Sequence, residues 1–390
     1  MRKICVVTGS RAEYGLLSGL MALLRDSVDF ELQIVASAMH LSTEFGLTYR
    51  EIEDDGFVIN EKVEMLVAGD SAGAISRSMG LGVIGFTGAF ERLAPDFVVI
   101  LGDRFEALAA AQTAMMLTIP IAHVHGGEIT EGAIDESIRH AISKMSNLHF
   151  VANEEFRRRV IQMGEQPARV FVSGAPGIDN IKRLPKIDQA TLESRLNFKL
   201  ASQNFLITYH PVTLSQVDEA DSLANLFAAL DCYPDAHIII TYPNADKDGA
   251  KIITELKKYA ANNNDRVLLK ASLGFVNYLS ALPYMSCVIG NSSSGLLEVP
   301  SFSVPTVNIG DRQKGRLKAA SVIDCDETEA EIIKAIDLAL SDDFKQGLID
   351  IDNPYGDGRA ADTIIGVLRT ADFKGLIRKP FYNINFEVGV

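Results

Sequence analysis

The stretch DFVVILGDRFEALAAAQTAMMLTIPIAHVHGG, residues 96–127, decides how the chain is read. An apolar run of strand length ends at Gly102, an alanine-rich segment of helical period follows, and a second apolar run closes at His123 and His125. Two such runs joined by a helix predict parallel neighbours in a sheet. Parallel strands need a crossover of that length, and strands buried on both faces read as unbroken apolar runs.

The same alternation extends on both sides. KICVVTG, FELQIVAS, NLHFVAN and RVFVSG supply further strand-like runs, with helical segments between them. After residues 177–203, a polar stretch read as a linker, the register restarts with NFLITYHP, AHIIITYPN, RVLLKAS, CVIGNSSSG and TVNIG. The pattern predicts an α/β protein with two doubly wound, Rossmann-like domains over 1–180 and 200–370. A tail over 371–390 remains, and the helical segment ending NPYGDGRAADTIIGVLRT is expected to pack back on the first domain. At 390 residues two domains are the natural expectation. An interdomain cleft, facing the carboxyl ends of both sets of strands, is the expected ligand site.

With Lys+Arg 37 against Asp+Glu 51, the net charge of -14 disfavours nucleic acid and anionic membrane as partners. Cys5, Cys232, Cys287 and Cys325 have no CxxC spacing and fit buried thiols in a reducing cytoplasm. The apolar run after Met1 is too short for a signal peptide, and no run approaches the ~18 residues of a membrane span. A cytoplasmic protein is expected.

Chemistry collects where strands end. VVTGSRAEYGLL joins the first strand to the first helix through Gly9 and Arg11, offering free N–H groups and a guanidinium to an anion; an ordinary tight turn is the plain alternative. CVIGNSSSGLLEVPSF repeats this logic with Ser292 and Ser293, more hydroxyls than one helix cap needs. Glu298 follows one turn later, within reach of a sugar hydroxyl, and NIGDRQKGR adds Arg312 as a local cation. Asp103 and Arg104 end a very apolar strand, and a cation beside a helix start opposes the macrodipole unless an anion binds there.

His123 and His125 are two apart, so on a strand they would share a face, and Glu128 or Asp135 would complete a metal shell. The neighbouring Arg104 and Arg139 suit an anion better, and a satisfied core histidine is the plain reading of His123. YHPVT contributes His210, and TYPNADKDG contributes Asn244 and Asp246, at two further strand ends.

TGSRAEYG, LGDRFEALAAA, HVHGGE with IDESIRHAISKMS, YHPVT, YPNAD, IGNSSSGLLEV and VNIGDRQKGR occur in this order over nearly the whole chain. Together they resemble the hydrolysing UDP-N-acetylglucosamine 2-epimerases, in particular the bacterial branch feeding sialic or legionaminic acid synthesis. The resemblance implies a glycosyltransferase-B-like fold, no metal, no redox cofactor, and a UDP-hexosamine substrate. It implies conversion of UDP-N-acetylglucosamine and water to N-acetylmannosamine and UDP, through elimination to 2-acetamidoglucal and rehydration with inversion at C2. The same reaction on UDP-2,4-diacetamido-2,4,6-trideoxyglucose is the alternative, and a UDP-sugar glycosyltransferase or a nucleotide-sugar sensor are more distant ones. A homodimer or homotetramer is expected.

By the resemblance, Arg11, Arg104, His210, Asn244, Ser292, Ser293, Glu298 and Arg312 fall on nucleotide contacts, and Asp103 and Asp135 on catalytic carboxylates. Arg139 and Asp246 join the substrate-binding candidates. The departure is His125, where many members carry glutamate. An imidazole that titrates near neutrality suits a proton carrier there, and Asp103 is expected to work with it across the sugar from Asp135.

Overall fold

A computed structural model describes residues 1–68, 71–130, 134–183, 187–210, 219–243 and 249–385. The chain divides into two compact units, Met1–Asn180 with Tyr355–Val390, and Ile181–Pro354. Thirteen strands are described: β1 (Arg2–Thr8), β2 (Phe30–Ser37), β3 (Glu61–Val63), β4 (Phe97–Leu101), β5 (Ile121–Val124), β6 (Leu148–Val151), β7 (Val170–Val172), β8 (Asn204–Thr208), β9 (His237–Thr241), β10 (Val267–Lys270), β11 (Cys287–Gly290), β12 (Thr306–Ile309) and β13 (Val322–Cys325).

The first unit holds a seven-stranded sheet in the order β3-β2-β1-β4-β5-β6-β7, and the second a six-stranded sheet in the order β10-β9-β8-β11-β12-β13. Every described pairing is parallel. The chain winds outward in both directions from β1/β4 and from β8/β11, so each sheet has one switch point where the strand order reverses. The doubly wound fold read from the apolar runs is therefore present in both units.

Side-chain alternation explains why the runs are unbroken. Ile4 and Val6 of β1 pack with Phe97 and Val99 on one face, beneath helices Arg11–Arg25 and Ala360–Thr370. Cys5 and Val7 pack with Val98 and Ile100 on the other, against helices Ala72–Leu93 and Phe105–Met116. In the second unit, Ile238 and Ile240 serve one core and Ile239 the other.

Three sequence expectations are corrected, and two strands are added to them. Residues 177–203 are not an irregular linker: they carry helices Pro176–Arg183 and Gln189–Leu196, and Leu192 and Leu196 are core residues of the second unit. The domain bound at 370 moves to Tyr355, and the helical segment expected to pack back on the first unit does so. There Asp179 accepts from Ala360 N and Ala361 N, at 2.9 and 2.7 Å, and starts the returning helix. Strands β3 and β13, invisible as apolar runs, are short edge strands with one covered flank. Cys232 is exposed and only Cys5 and Cys287 are fully buried; all four thiols are free.

The segment beyond Thr370 is tied to the first unit. Asn147 and Arg169 donate to Leu376 O, and Lys379 reaches the buried Glu165 at 3.0 Å. Among the described residues, no helix is long and apolar enough to cross a membrane.

Candidate active site

In the first unit, the loops after β1 and β4 meet at the switch point. Ser10 caps helix Arg11–Arg25 by accepting from Glu13 N, and Glu13 bends back to accept from Gly9 N at 2.7 Å. Glu106, in the first turn of the helix after β4, approaches so closely that a Cβ on Gly9 would lie 2.5 Å from its Cγ. Glu13 is 7% exposed and Glu106 1%. Between them stands Arg104, with Nε 2.6 Å from Glu106 Oε1 and 3.8 Å from Glu13 Oε1. Burial first, and then the negative charge of Glu106, push the Glu13 carboxyl up to about 8, against the Gly9 N–H and Arg104. Arg104 also feels the charge of Asp135, in the first turn of helix Ile134–Met145.

Asp103 does not cap the helix that follows it; the N-cap position is taken by Arg104, which makes no side-chain capping bond. The carboxylate of Asp103 instead receives Arg139, whose guanidinium also donates to Thr130 Oγ1 and Glu128 O, both at 2.9 Å. Arg139 is 4% exposed, so it is an internal brace. Its Nη2 holds both Asp103 and Thr130 and its Nη1 holds Glu128 O, so one fork ties Asp103 to the loop after β5.

That loop separates the two histidines. His123 is fully buried on β5 with both ring nitrogens bonded, Nε2 to Gly102 O at 2.7 Å and Nδ1 to Ser143 Oγ at 3.0 Å. Burial pulls its pKa down to about 3, so it stays neutral, and the core-histidine reading is the one observed. His125 lies past the end of β5 in the left-handed region, φ +67°, and leaves the strand alternation that would have put both rings on one face. Its N–H donates to Phe150 O at 3.0 Å, and Nδ1 lies 2.7 Å from Glu128 Oε1. A non-glycine residue in this region is a local strain that packing sustains, and such residues concentrate at functional sites. Among the described residues no three His, Cys, Asp or Glu side chains converge as a metal shell requires.

In the second unit the switch point is closed by an amide. Asn291 Oδ1 accepts from His210 N at 2.7 Å and Asn291 Nδ2 donates to His210 O at 2.9 Å, joining the loops after β8 and β11 as a strand pair would. Gly290, at φ +136°, admits this approach, since any side chain there would strike Thr208 O. Arg312 and Gln313 both donate to Asn291 O, at 3.0 and 2.9 Å, which brings the NIGDRQKGR loop onto the NSSSG turn. Ser292 and Ser293 are partly exposed beside this junction, and Ser293 makes no side-chain cap bond. Among the described residues, the buried Glu298 Oε2 has no hydrogen-bond partner, and burial raises its carboxyl above the usual range.

The sequence profile of the UDP-N-acetylglucosamine 2-epimerase family matches residues 22–369. The chain belongs to this family. It is 44% identical over 345 residues to the GDP/UDP-N,N'-diacetylbacillosamine 2-epimerase (hydrolyzing) of Campylobacter jejuni, covering 88% of this chain and 89% of that protein. With the UDP-N,N'-diacetylbacillosamine 2-epimerase (hydrolyzing) of Legionella pneumophila it shares 36% over 373 residues, 95% and 96% of the two chains. The crystal structure of UDP-GlcNAc 2-epimerase from Neisseria meningitidis bound to UDP-GlcNAc has the same fold, with a TM-score of 0.77 at 18% identity over 94% of this chain and 99% of that one. The glycosyltransferase-B-like fold expected of an epimerase of this family is thus shared.

Among the epimerase motifs, the fold gathers Asp103, Arg104, Asp135, Arg139 and the His125 loop at the carboxyl ends of β4 and β5. There His125 bonds Glu128, and Asp103 bonds Arg139. Arg11 is exposed and pairs with Glu51 at 2.9 Å. Asn244 and Asp246 lie outside the described residues. Sequence reasoning overlooked Glu13, Glu106 and Gln313. Ser10-x-x-Glu13 carries the signature of a capping box, a signal that could have marked Glu13.

Proposed function

We propose that this family member is a hydrolysing 2-epimerase, taking a UDP-linked 2-acetamido sugar and water to the free C2-inverted sugar and UDP. The observation that carries the reading is the group formed by Asp103, Arg104, Asp135 and the His125–Glu128 pair at the ends of β4 and β5. It contains carboxylates to accept a proton, an imidazole to return one, and cationic charge to favour an anionic substrate.

The C2 hydrogen of such a sugar is not acidic, so departure of UDP runs ahead and leaves positive charge at C1. Asp103 or Asp135 then takes the C2 proton as the C1–O bond to UDP breaks and the C1–C2 double bond forms. His125 Nε2 returns a proton to C2 from the opposite face while water adds at C1 and loses a proton. The sum is hydrolysis with inversion, without net oxidation. Arg104 and Arg11 in the first unit, and His210, Ser292, Ser293, Glu298 and Arg312 in the second, are the proposed substrate and nucleotide contacts; Asn244 and Asp246 retain that role as proposals. Four free thiols fit a reducing cytoplasm.

The names of the two relatives favour a 2,4-diacetamido-2,4,6-trideoxy sugar over UDP-N-acetylglucosamine as substrate. The test is to incubate the protein with each UDP-sugar in heavy water and follow the products by NMR. Release of UDP with deuterium at the inverted C2 supports the reading and identifies the sugar. Release of UDP only when an acceptor is added, or with C2 unchanged, overturns it.

A further inference from the structure

We propose that Glu128 is a positioning residue that fixes which nitrogen of His125 exchanges the proton. The inference rests on the epimerase reading for its catalytic consequence, but its geometry stands alone. A carboxylate can only accept, so the 2.7 Å contact from Glu128 Oε1 requires the hydrogen to sit on His125 Nδ1. The proton-exchanging atom is then Nε2, which is buried and makes no hydrogen bond among the described residues. An imidazole whose Nδ1 is held by a carboxylate has one tautomer and one working nitrogen, and the carboxylate also balances the charge when Nε2 is protonated.

The surrounding structure supports this arrangement from three sides. His125 is anchored by its own N–H on Phe150 O, and its left-handed backbone aims the ring away from the direction strand alternation would give. Arg139 grips Glu128 O and Asp103 with one guanidinium, so the loop carrying Glu128 moves with the proposed base. Arg159, from helix Glu154–Gln162, donates to Gly127 O and closes the turn from the other side. Among the described residues, the titratable and charged groups of this region are Glu128, in contact with the ring, His123 on β5, Arg139 on Glu128 O and Asp103, and Arg159 on Gly127 O. His123 is neutral, so the carboxylate of Glu128 is the charge in direct contact with the ring.

Glu128→Gln is the deciding variant, because the amide keeps the size of the side chain yet can present its NH2 to Nδ1 and hold the opposite tautomer. The expected result is a fall in kcat of roughly tenfold or more, with KM little changed. The pH profile of kcat changes with it, since the balancing charge is gone. In parallel, 15N NMR of the histidine rings should show His125 protonated at Nδ1 in the wild-type protein and shifted towards Nε2 in the variant. Wild-type kcat, pH profile and ring tautomer in Glu128→Gln would overturn the proposal. If the wild-type protein turns over neither UDP-sugar, the epimerase reading fails alone, and the NMR comparison still decides the role of Glu128.

Discussion

Asn291 grips His210 through both halves of its amide, accepting from the backbone N–H and donating to the backbone carbonyl, and so joins the ends of the two parallel strands at which the winding order of the second sheet reverses. Both bonded groups are buried. Asn291→Ala leaves them without these partners and should destabilise the second unit by roughly 2 to 4 kcal/mol. Urea unfolding checks this. Asn291→Asp should be nearly as damaging, since a carboxylate cannot donate to His210 O.

The Glu13 carboxyl makes stability fall as pH rises. The unfolded chain releases this proton near 4.5, the ordinary value of the side chain, while the folded protein holds it to about 8. Between those values the folded state binds more protons, so stability decreases by up to about 1.4 kcal/mol per pH unit. Below the window the cost is absent. Glu13→Gln mimics the protonated form and keeps an acceptor for Gly9 N, so the variant should gain on the wild type from pH 5 to pH 8 in denaturant melts. A constant difference across that range would show that Glu13 is ionised throughout.

Removing the imidazole separates chemistry from binding. His125→Ala should lose kcat by roughly 10²-fold or more while UDP affinity, measured by calorimetry, stays close to wild type. Equal losses in both would make the ring a structural element of the loop after β5.

Arg139 answers three acceptors with one planar fork, which an ammonium cannot match. Arg139→Lys should cost roughly 1 to 3 kcal/mol in thermal unfolding and lower kcat, because Asp103 and the Glu128 loop lose their common anchor. Unchanged stability would mean that the loop is held without it.

Much of this architecture is local in origin, and the sequence alone determined it. Apolar runs of strand length, each followed by helical period, specify parallel strands buried on both faces, and the residues at their carboxyl ends were readable as site candidates. The edge strands β3 and β13 escaped because a strand covered on one flank needs few apolar residues. Tertiary structure alone decided which ends meet. Glu13 faces Glu106 because β1 and β4 are neighbours at the switch point, a fact of sheet order that no local pattern encodes. In HVHGGE, spacing placed His123 and His125 on one face; the left-handed turn at His125 divided them into a neutral core residue and a ring held by Glu128. Periodicity reports the direction of a side chain only while the strand lasts, and the candidate site begins where the strand stops.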